Sequence, residues 1–286
     1  MSQGRPWPRK LVSWGLFILV ILGVSSVMRD VFLRNSLYPA PAVPVPAPPL
    51  PLLEVTLETY SGDRVVAWAY EAQEPTPGTS RVSVLVLHGN GENLGTLHLS
   101  GTLEKLRRLG VSFLAVDYPG YGRSSGKPSE KANIAAASAG LQWLSKNAPE
   151  DRLVVWGWSL GAGVGIQAAA RAERIHGLIT LSPWSSLEAV ATEHFPRWLI
   201  RWALVETYDS VAAAKTLRCP AFVAHGEIDR IIPAHQGKRL ADTFPNLYRW
   251  LEIPGAGHND LLAIDSLWQE MEDFFGHLEE PPLGGL

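Results

Sequence analysis

The stretch Gly157-Trp158-Ser159-Leu160-Gly161 sets a serine between two glycines, directly after the apolar run Leu153-Val154-Val155-Trp156 and just before a run of small residues. A serine hydroxyl is a weak nucleophile until a base takes its proton, and the base works best when an acid holds its ring. The turn that lifts such a serine out of a strand is tight and strained, so its neighbours must be small enough for the backbone to pass. Gly157 and Gly161 meet that demand. A helix opening at Leu160 would aim its first N–H groups at the point where negative charge develops during attack on a carbonyl. The chemistry suggested is acyl transfer through a covalent serine intermediate.

Downstream of Ser159 the chain carries His176, His194, His225, His235, His258 and His277. His258 lies just after the last strand-like run, in Pro254-Gly255-Ala256-Gly257-His258-Asn259-Asp260, where glycines let a loop carry an imidazole over the sheet. It is the preferred base. His225 lies within a strand end, His235 in a helix, His176 at a strand start, His194 in an insert and His277 near the tail. The orienting acid should follow the preceding strand, and Asp229 stands there, three residues past Gly226. Glu227 is the rival, expected nearer the strand and pointing away. Two backbone N–H donors are needed for the oxyanion. Leu160, directly after the serine, is one; Asn90, between Gly89 and Gly91, is the other, with His88 bracing that loop. Trp158, Trp184 and Trp198 are candidates for the substrate pocket.

A second match, Gly122-Arg123-Ser124-Ser125-Gly126, serves as a control. It follows Asp117-Tyr118-Pro119-Gly120-Tyr121 and runs into Lys127-Pro128, a polar strand-to-helix loop that lacks the tight strand-turn-helix frame. It reads as a connecting loop.

The elements that must position these residues follow from the apolar pattern. Residues 53–72 read as a hairpin turning at Ser61-Gly62-Asp63. Residues 81–89, 111–118, 151–157, 175–183, 219–226 and 247–255 read as strands. Helical spacing covers 99–110, 129–148 with Ser129 as its cap, 160–172, 234–244 and 260–277. Strands that are apolar throughout, alternating with helices, imply an α/β fold with a mostly parallel sheet covered on both faces. Chemistry in such a sheet sits at the carboxyl ends of the strands, where Asn90, Ser159, Asp229 and His258 all fall.

Composition sets limits on the alternatives. The chain has 286 residues, 46% of them hydrophobic and 19% charged, enough for one large α/β domain or two small ones. A net charge of -3 argues against a nucleic-acid surface. The single cysteine, Cys219, excludes an internal disulfide, argues against a cysteine-based zinc site, and reads as a small buried hydrophobe. Residues 11–28 contain no charge and would span about 27 Å as a helix, close to a bilayer core. They are expected to form a single-pass signal anchor, with residues 1–10 cytoplasmic and the domain on the other side; a cleaved signal peptide is the rival reading. Residues 29–52 read as a proline-rich linker. Seven prolines within 38–51 favour a semi-rigid spacer that holds the domain off the membrane.

Five stretches, His88-Gly89-Asn90-Gly91-Glu92-Asn93, residues 117–130 (DYPGYGRSSGKPSE), residues 157–163 (GWSLGAG), residues 225–233 (HGEIDRIIP) and residues 254–260 (PGAGHND), resemble in order and spacing the α/β-hydrolase superfamily. They are most similar to its depalmitoylase-like and monoacylglycerol-lipase-like serine hydrolases, including membrane-anchored members. The resemblance covers about residues 53–277. It implies an α/β-hydrolase domain over 53–278, with 279–286 as a tail and a short cap insert at 184–216. It further implies a Ser159-Asp229-His258 triad that needs no metal or cofactor. The implied substrate is a small-molecule or lipid-like carboxylic ester or thioester. A serine peptidase or amidase on the same fold is one alternative, and a non-catalytic binding module the other. Within the insert, Phe195, Trp198, Leu199 and Trp202 share one helical face, which either packs on the core or lines an acyl pocket.

Overall fold

A computed structural model describes residues 37–72 and 81–279 of the chain. Two compact units are distinguished, residues 1–39 and 40–286, and the features below belong to the second. Its sheet has eight strands. They are β1 (Leu53–Glu58), β2 (Arg64–Tyr70), β3 (Val82–Leu87), β4 (Ser112–Val116), β5 (Arg152–Trp158), β6 (Gly177–Leu181), β7 (Ala221–Gly226) and β8 (Leu247–Ile253). They lie in the order β1-β2-β4-β3-β5-β6-β7-β8. The β1–β2 and β2–β4 pairs are antiparallel and the remaining pairs parallel. The sheet is therefore the mostly parallel α/β sheet expected, edged by the hairpin that the spacing of residues 53–72 predicts.

Strands β3 to β7 are buried along almost their whole length. That is why their sequences show unbroken apolar runs rather than alternation. Helices cover the faces: α1 (Leu94–Leu99), α2 (Thr102–Arg108), α3 (Glu130–Asn147), α4 (Leu160–Ala169), α5 (Leu187–His194), α6 (Arg197–Ala203), α7 (Ser210–Ala214), α8 (Ala234–Ala241) and α9 (Asp265–Glu279). Ser129 caps α3 by accepting the Ala132 N–H at 3.1 Å. Trp156 of β5 donates its indole N–H to Met271 Sδ of α9, tying the last helix to the centre of the sheet. Cys219 is half-buried, and that burial pushes its thiol up to about 11.

Register aligns the working ends. Leu87 pairs with Gly157, Gly157 with Thr180, Leu181 with Ala224, and Gly226 with Ile253. The loops after β3, β5, β7 and β8 thus leave one edge of the sheet side by side.

Two expectations are corrected. The single-pass membrane location does not hold: among the described residues no helix is long and apolar enough to cross a membrane. The expected anchor at 11–28 and the segment 1–10 lie outside the described residues. The proline run is also not a free spacer. From Ala40 it belongs to the same compact unit as the sheet. Val45 and Leu52 are buried in the core, and Asn93 donates its side-chain amide to Val43 O at 2.8 Å. A proline-rich run forms no ladder of its own, so Val43 O is open to accept from Asn93 while Val45 covers an apolar edge.

Candidate active site

Ser159 joins β5 to α4 with φ 54° and ψ -113°, a left-handed conformation that a non-glycine residue holds only when its surroundings enforce it. The enforcement comes from crowding on both sides. A Cβ at Gly157 would lie 2.2 Å from Gly161 O, and one at Gly161 would lie 1.9 Å from Leu87 O. The Ser159 N–H donates to Leu181 O at 2.9 Å. The serine side chain is thereby lifted above the sheet edge, at the N-terminus of the ten-residue helix α4.

The acid and base loops are sewn to each other. Ile228 N–H donates to Ala256 O at 3.0 Å and Gly255 N–H to Glu227 Oε2 at 2.9 Å. Glu227 is thus exposed and occupied with the neighbouring loop, while Asp229 turns inward. Gly257 N–H binds Asp260 Oδ2 at 2.7 Å, which shapes the turn that delivers His258. The result is a continuous hydrogen-bonded chain. His258 Nδ1–H donates to Asp229 Oδ2 at 2.6 Å, and Ser159 Oγ–H donates to His258 Nε2 at 3.0 Å. All three side chains are buried. Because the ionised carboxylate can only accept, the imidazole proton sits on Nδ1 and leaves the Nε2 lone pair toward the serine.

Asp229 is well furnished for its charge. Burial alone would push its carboxyl up. Hydrogen bonds from His225, from His258 and from the Ile232 N–H more than reverse this and hold it well below the usual carboxylate range. Its Oδ1 accepts the N–H groups of Ile231 and Ile232, each at 2.8 Å.

The loop after β3 packs on the serine turn. A Cβ on Gly89 would lie 2.8 Å from the Trp158 ring. The Gly89 N–H is taken by Glu92 Oε2 at 2.8 Å, so it points back into its own loop. Asn90 is held through its side chain, whose Oδ1 accepts the Tyr121 hydroxyl at 2.9 Å. His88 donates Nδ1–H to Gly89 O at 2.8 Å, its carbonyl accepts the Tyr118 hydroxyl at 2.8 Å, and its ring lies 4.4 Å from that of Tyr118. Burial pushes the Glu92 carboxyl up, although the His88 and His258 rings and the Gly89 N–H oppose it.

The three tryptophans divide. Trp158 is buried, its ring 5.5 Å from the His258 ring. Trp184 is buried too, packed on Gly163 of α4 and edge-on to Tyr208. Trp198 is 73% exposed and faces solvent, as do Phe195 and Trp202. The face of α6 that packs inward carries Ile200 and Ala203 instead. The insert docks on the Asp229 loop through α5: His194 Nε2–H donates to Ile231 O at 2.8 Å, and Glu193 accepts from His235 at 2.9 Å. Among the described residues no group of three or more His, Cys, Asp or Glu side chains could hold a metal.

Sequence reasoning passed over His225, Glu92 and Tyr121 as members of this site. The first two had a signal in the spacing, His225 four residues before Asp229 and Glu92 three after Gly89. Tyr121 had none, because it arrives from the loop after β4.

Comparison with known proteins is consistent with this geometry. Residues 82–207 match the family model described as alpha/beta hydrolase fold. An uncharacterized protein of Mycobacterium tuberculosis is 34% identical over 81% of this chain and 82% of its own length. The alpha/beta hydrolase domain-containing protein aho-3 of Caenorhabditis elegans is 32% identical over 70% of this chain, which spans 59% of that relative. A solved esterase of Pyrococcus furiosus superposes with a TM-score of 0.66 at 20% identity, covering 84% of this chain and 98% of its own. At that identity the superposition speaks for the fold alone.

Proposed function

We propose that this chain, which has the α/β-hydrolase fold, is a serine hydrolase cleaving a carboxylic ester or thioester of an acyl group. The observation that carries the reading is the unbroken chain Asp229–His258–Ser159, ending on a buried serine in a left-handed turn at a helix N-terminus. Ser159 Oγ attacks the carbonyl carbon while its proton passes to His258 Nε2. The imidazolium that forms is stabilised by the charge of Asp229. The carbonyl oxygen, now negative, is held by the main-chain N–H groups of Leu160 and Asn90, aided by the N-terminus of α4. Collapse of the tetrahedral intermediate expels the alcohol or thiol, which takes the proton from His258, and leaves an acyl-serine. Water activated by the same histidine then releases the acid and restores the serine. An acyl substrate suits the indole of Trp158, whose apolar ring flanks His258.

The test is hydrolysis of p-nitrophenyl esters of increasing acyl length by the full chain and by its Ser159→Ala variant. We expect turnover by the parent and a loss of roughly 10⁴-fold or more in the variant. Equal turnover by the two proteins would remove Ser159 from the role of nucleophile. Cleavage of aminoacyl amides with no ester turnover would make the protein a peptidase.

A further inference from the structure

Asp229 faces two histidines. His258 is one. The other, His225, is the penultimate residue of β7 and has no exposed surface at all. Its Nε2 lies 2.7 Å from Ile232 O and 3.4 Å from Asp229 Oδ2, the same oxygen that accepts from His258. We propose that His225 is a positioning residue for the acid–base pair, closing a clamp that fixes Oδ2 toward His258; this rests on the serine-hydrolase reading above.

The clamp can be traced atom by atom. Both nearby acceptors, Ile232 O and Asp229 Oδ2, face Nε2, so the proton of the neutral ring sits there. The donor is then shared, with its stronger bond to the carbonyl. Ile232 in turn gives its own N–H to Asp229 Oδ1 at 2.8 Å. Ile232 is therefore held at its carbonyl by His225 and holds the carboxylate through its N–H. The main-chain bonds of Ile231 and Ile232 hold Oδ1 from one side and leave the carboxylate room to rock about that anchor. The second partner on Oδ2 removes that freedom. A carboxylate that cannot rock keeps the imidazole in one tautomer and one plane, which is what proton transfer from the serine requires.

The other ring nitrogen makes the same point from the opposite direction. Among the described residues His225 Nδ1 is buried without a hydrogen-bond partner. Gly237 of α8 lies so close that a Cβ there would sit 2.3 Å from Nδ1. A leucine at 225 would fill similar space without stranding a polar atom. The histidine is accounted for by its Nε2, and the absence of a side chain at Gly237 is what gives the ring room to present it.

The experiment uses the reach of two amides. His225→Gln extends an N–H to about where Nε2 lies, whereas His225→Asn stops near Nδ1. Each full-length variant is reacted with a fluorophosphonate probe over a range of concentrations, giving the binding constant and the limiting labelling rate of Ser159 separately, with circular dichroism to verify folding. We expect the Gln variant to label within about threefold of the parent. The Asn variant should lose roughly 10- to 100-fold in limiting rate with the binding constant changed by less than about twofold. Gly237→Ala, pressing on the ring from behind, should lower the rate in the same way. An Asn variant that labels like the parent, or Gln and Asn variants that lose rate equally, would overturn the clamp. A parent that does not label, or a Ser159→Ala variant that labels equally, would instead overturn the reading on which it rests.

Discussion

Two stretches of this chain read Gly-x-Ser-x-Gly, and the fold uses them in opposite ways. Around Ser159 the glycines absorb crowding and the serine absorbs the unusual backbone: Gly157 and Gly161 have main chain packed where a Cβ would go, and Ser159 takes φ 54°. Around Ser124 the roles are exchanged. Gly122 and Gly126 take φ values of 53° and 85°. Ser124 and Ser125 give their hydroxyls to the edge of β2, where Ser124 Oγ accepts the Val66 N–H at 2.9 Å and Ser125 Oγ the Arg64 N–H at 2.8 Å. One serine gives its hydroxyl to the imidazole of His258; the other two are stitches. Residue types alone do not separate the two. A buried strand ending at Trp158 and a helix starting at Leu160 do, because only elements that abut the serine force the strain onto it.

The contrast can be broken at its strongest point through the acid. Asp229→Asn should leave the fold intact and cut ester turnover by roughly 10⁴-fold, since the imidazole is then free to hold the wrong tautomer. No such loss should follow any substitution around Ser124. The same variant sharpens the electrostatics. The Asp229 carboxyl is held below its unfolded value of about 3.9. Its contribution to stability is therefore present above that pH and is lost as the pH falls through the folded value. Urea denaturation between about pH 5 and pH 3 should accordingly show a steeper loss of stability in the parent than in Asp229→Asn.

A smaller effect should come from the crowded glycines. A methyl group at Gly161 would collide with Leu87 O at 1.9 Å, a backbone atom that cannot step aside without moving β3. Gly161→Ala should cost about 3 kcal/mol in denaturant midpoint analysis and lower activity with it. The smallest effect belongs to the second motif. Ser124→Ala strands the Val66 N–H and should cost about 1 kcal/mol, with turnover within about twofold of the parent. A larger drop in activity from Ser124→Ala would mean that the two motifs are not independent.

Much of this was legible before any coordinates. Unbroken apolar runs marked the buried parallel strands, and their spacing located the carboxyl ends where Ser159, Asp229 and His258 meet. What escaped had physical reasons. Helix α1 is only six residues long and starts straight after a glycine-rich loop; its capping box, Asn93 with Thr96, is easily taken for a turn. The aromatic stripe of Phe195, Trp198 and Trp202 had the right period for an inward face, yet α6 packs through Ile200 and Ala203. Periodicity finds a face but not its direction. His225 was set aside as a base because it lies in a strand, which was sound; that a strand histidine could serve the acid was not visible from its type. The proline run reads as a spacer because prolines forbid ladders, but they do not forbid burial of Val45 between them.

That last feature bears on where this molecule begins. Residues 40–52 contribute no strand, yet they lend a carbonyl to the cap of α1, the helix that anchors the far end of the loop carrying Asn90. A protease nick in this strap would leave every strand in register. It would be felt first as slack in that loop, well before the sheet came apart.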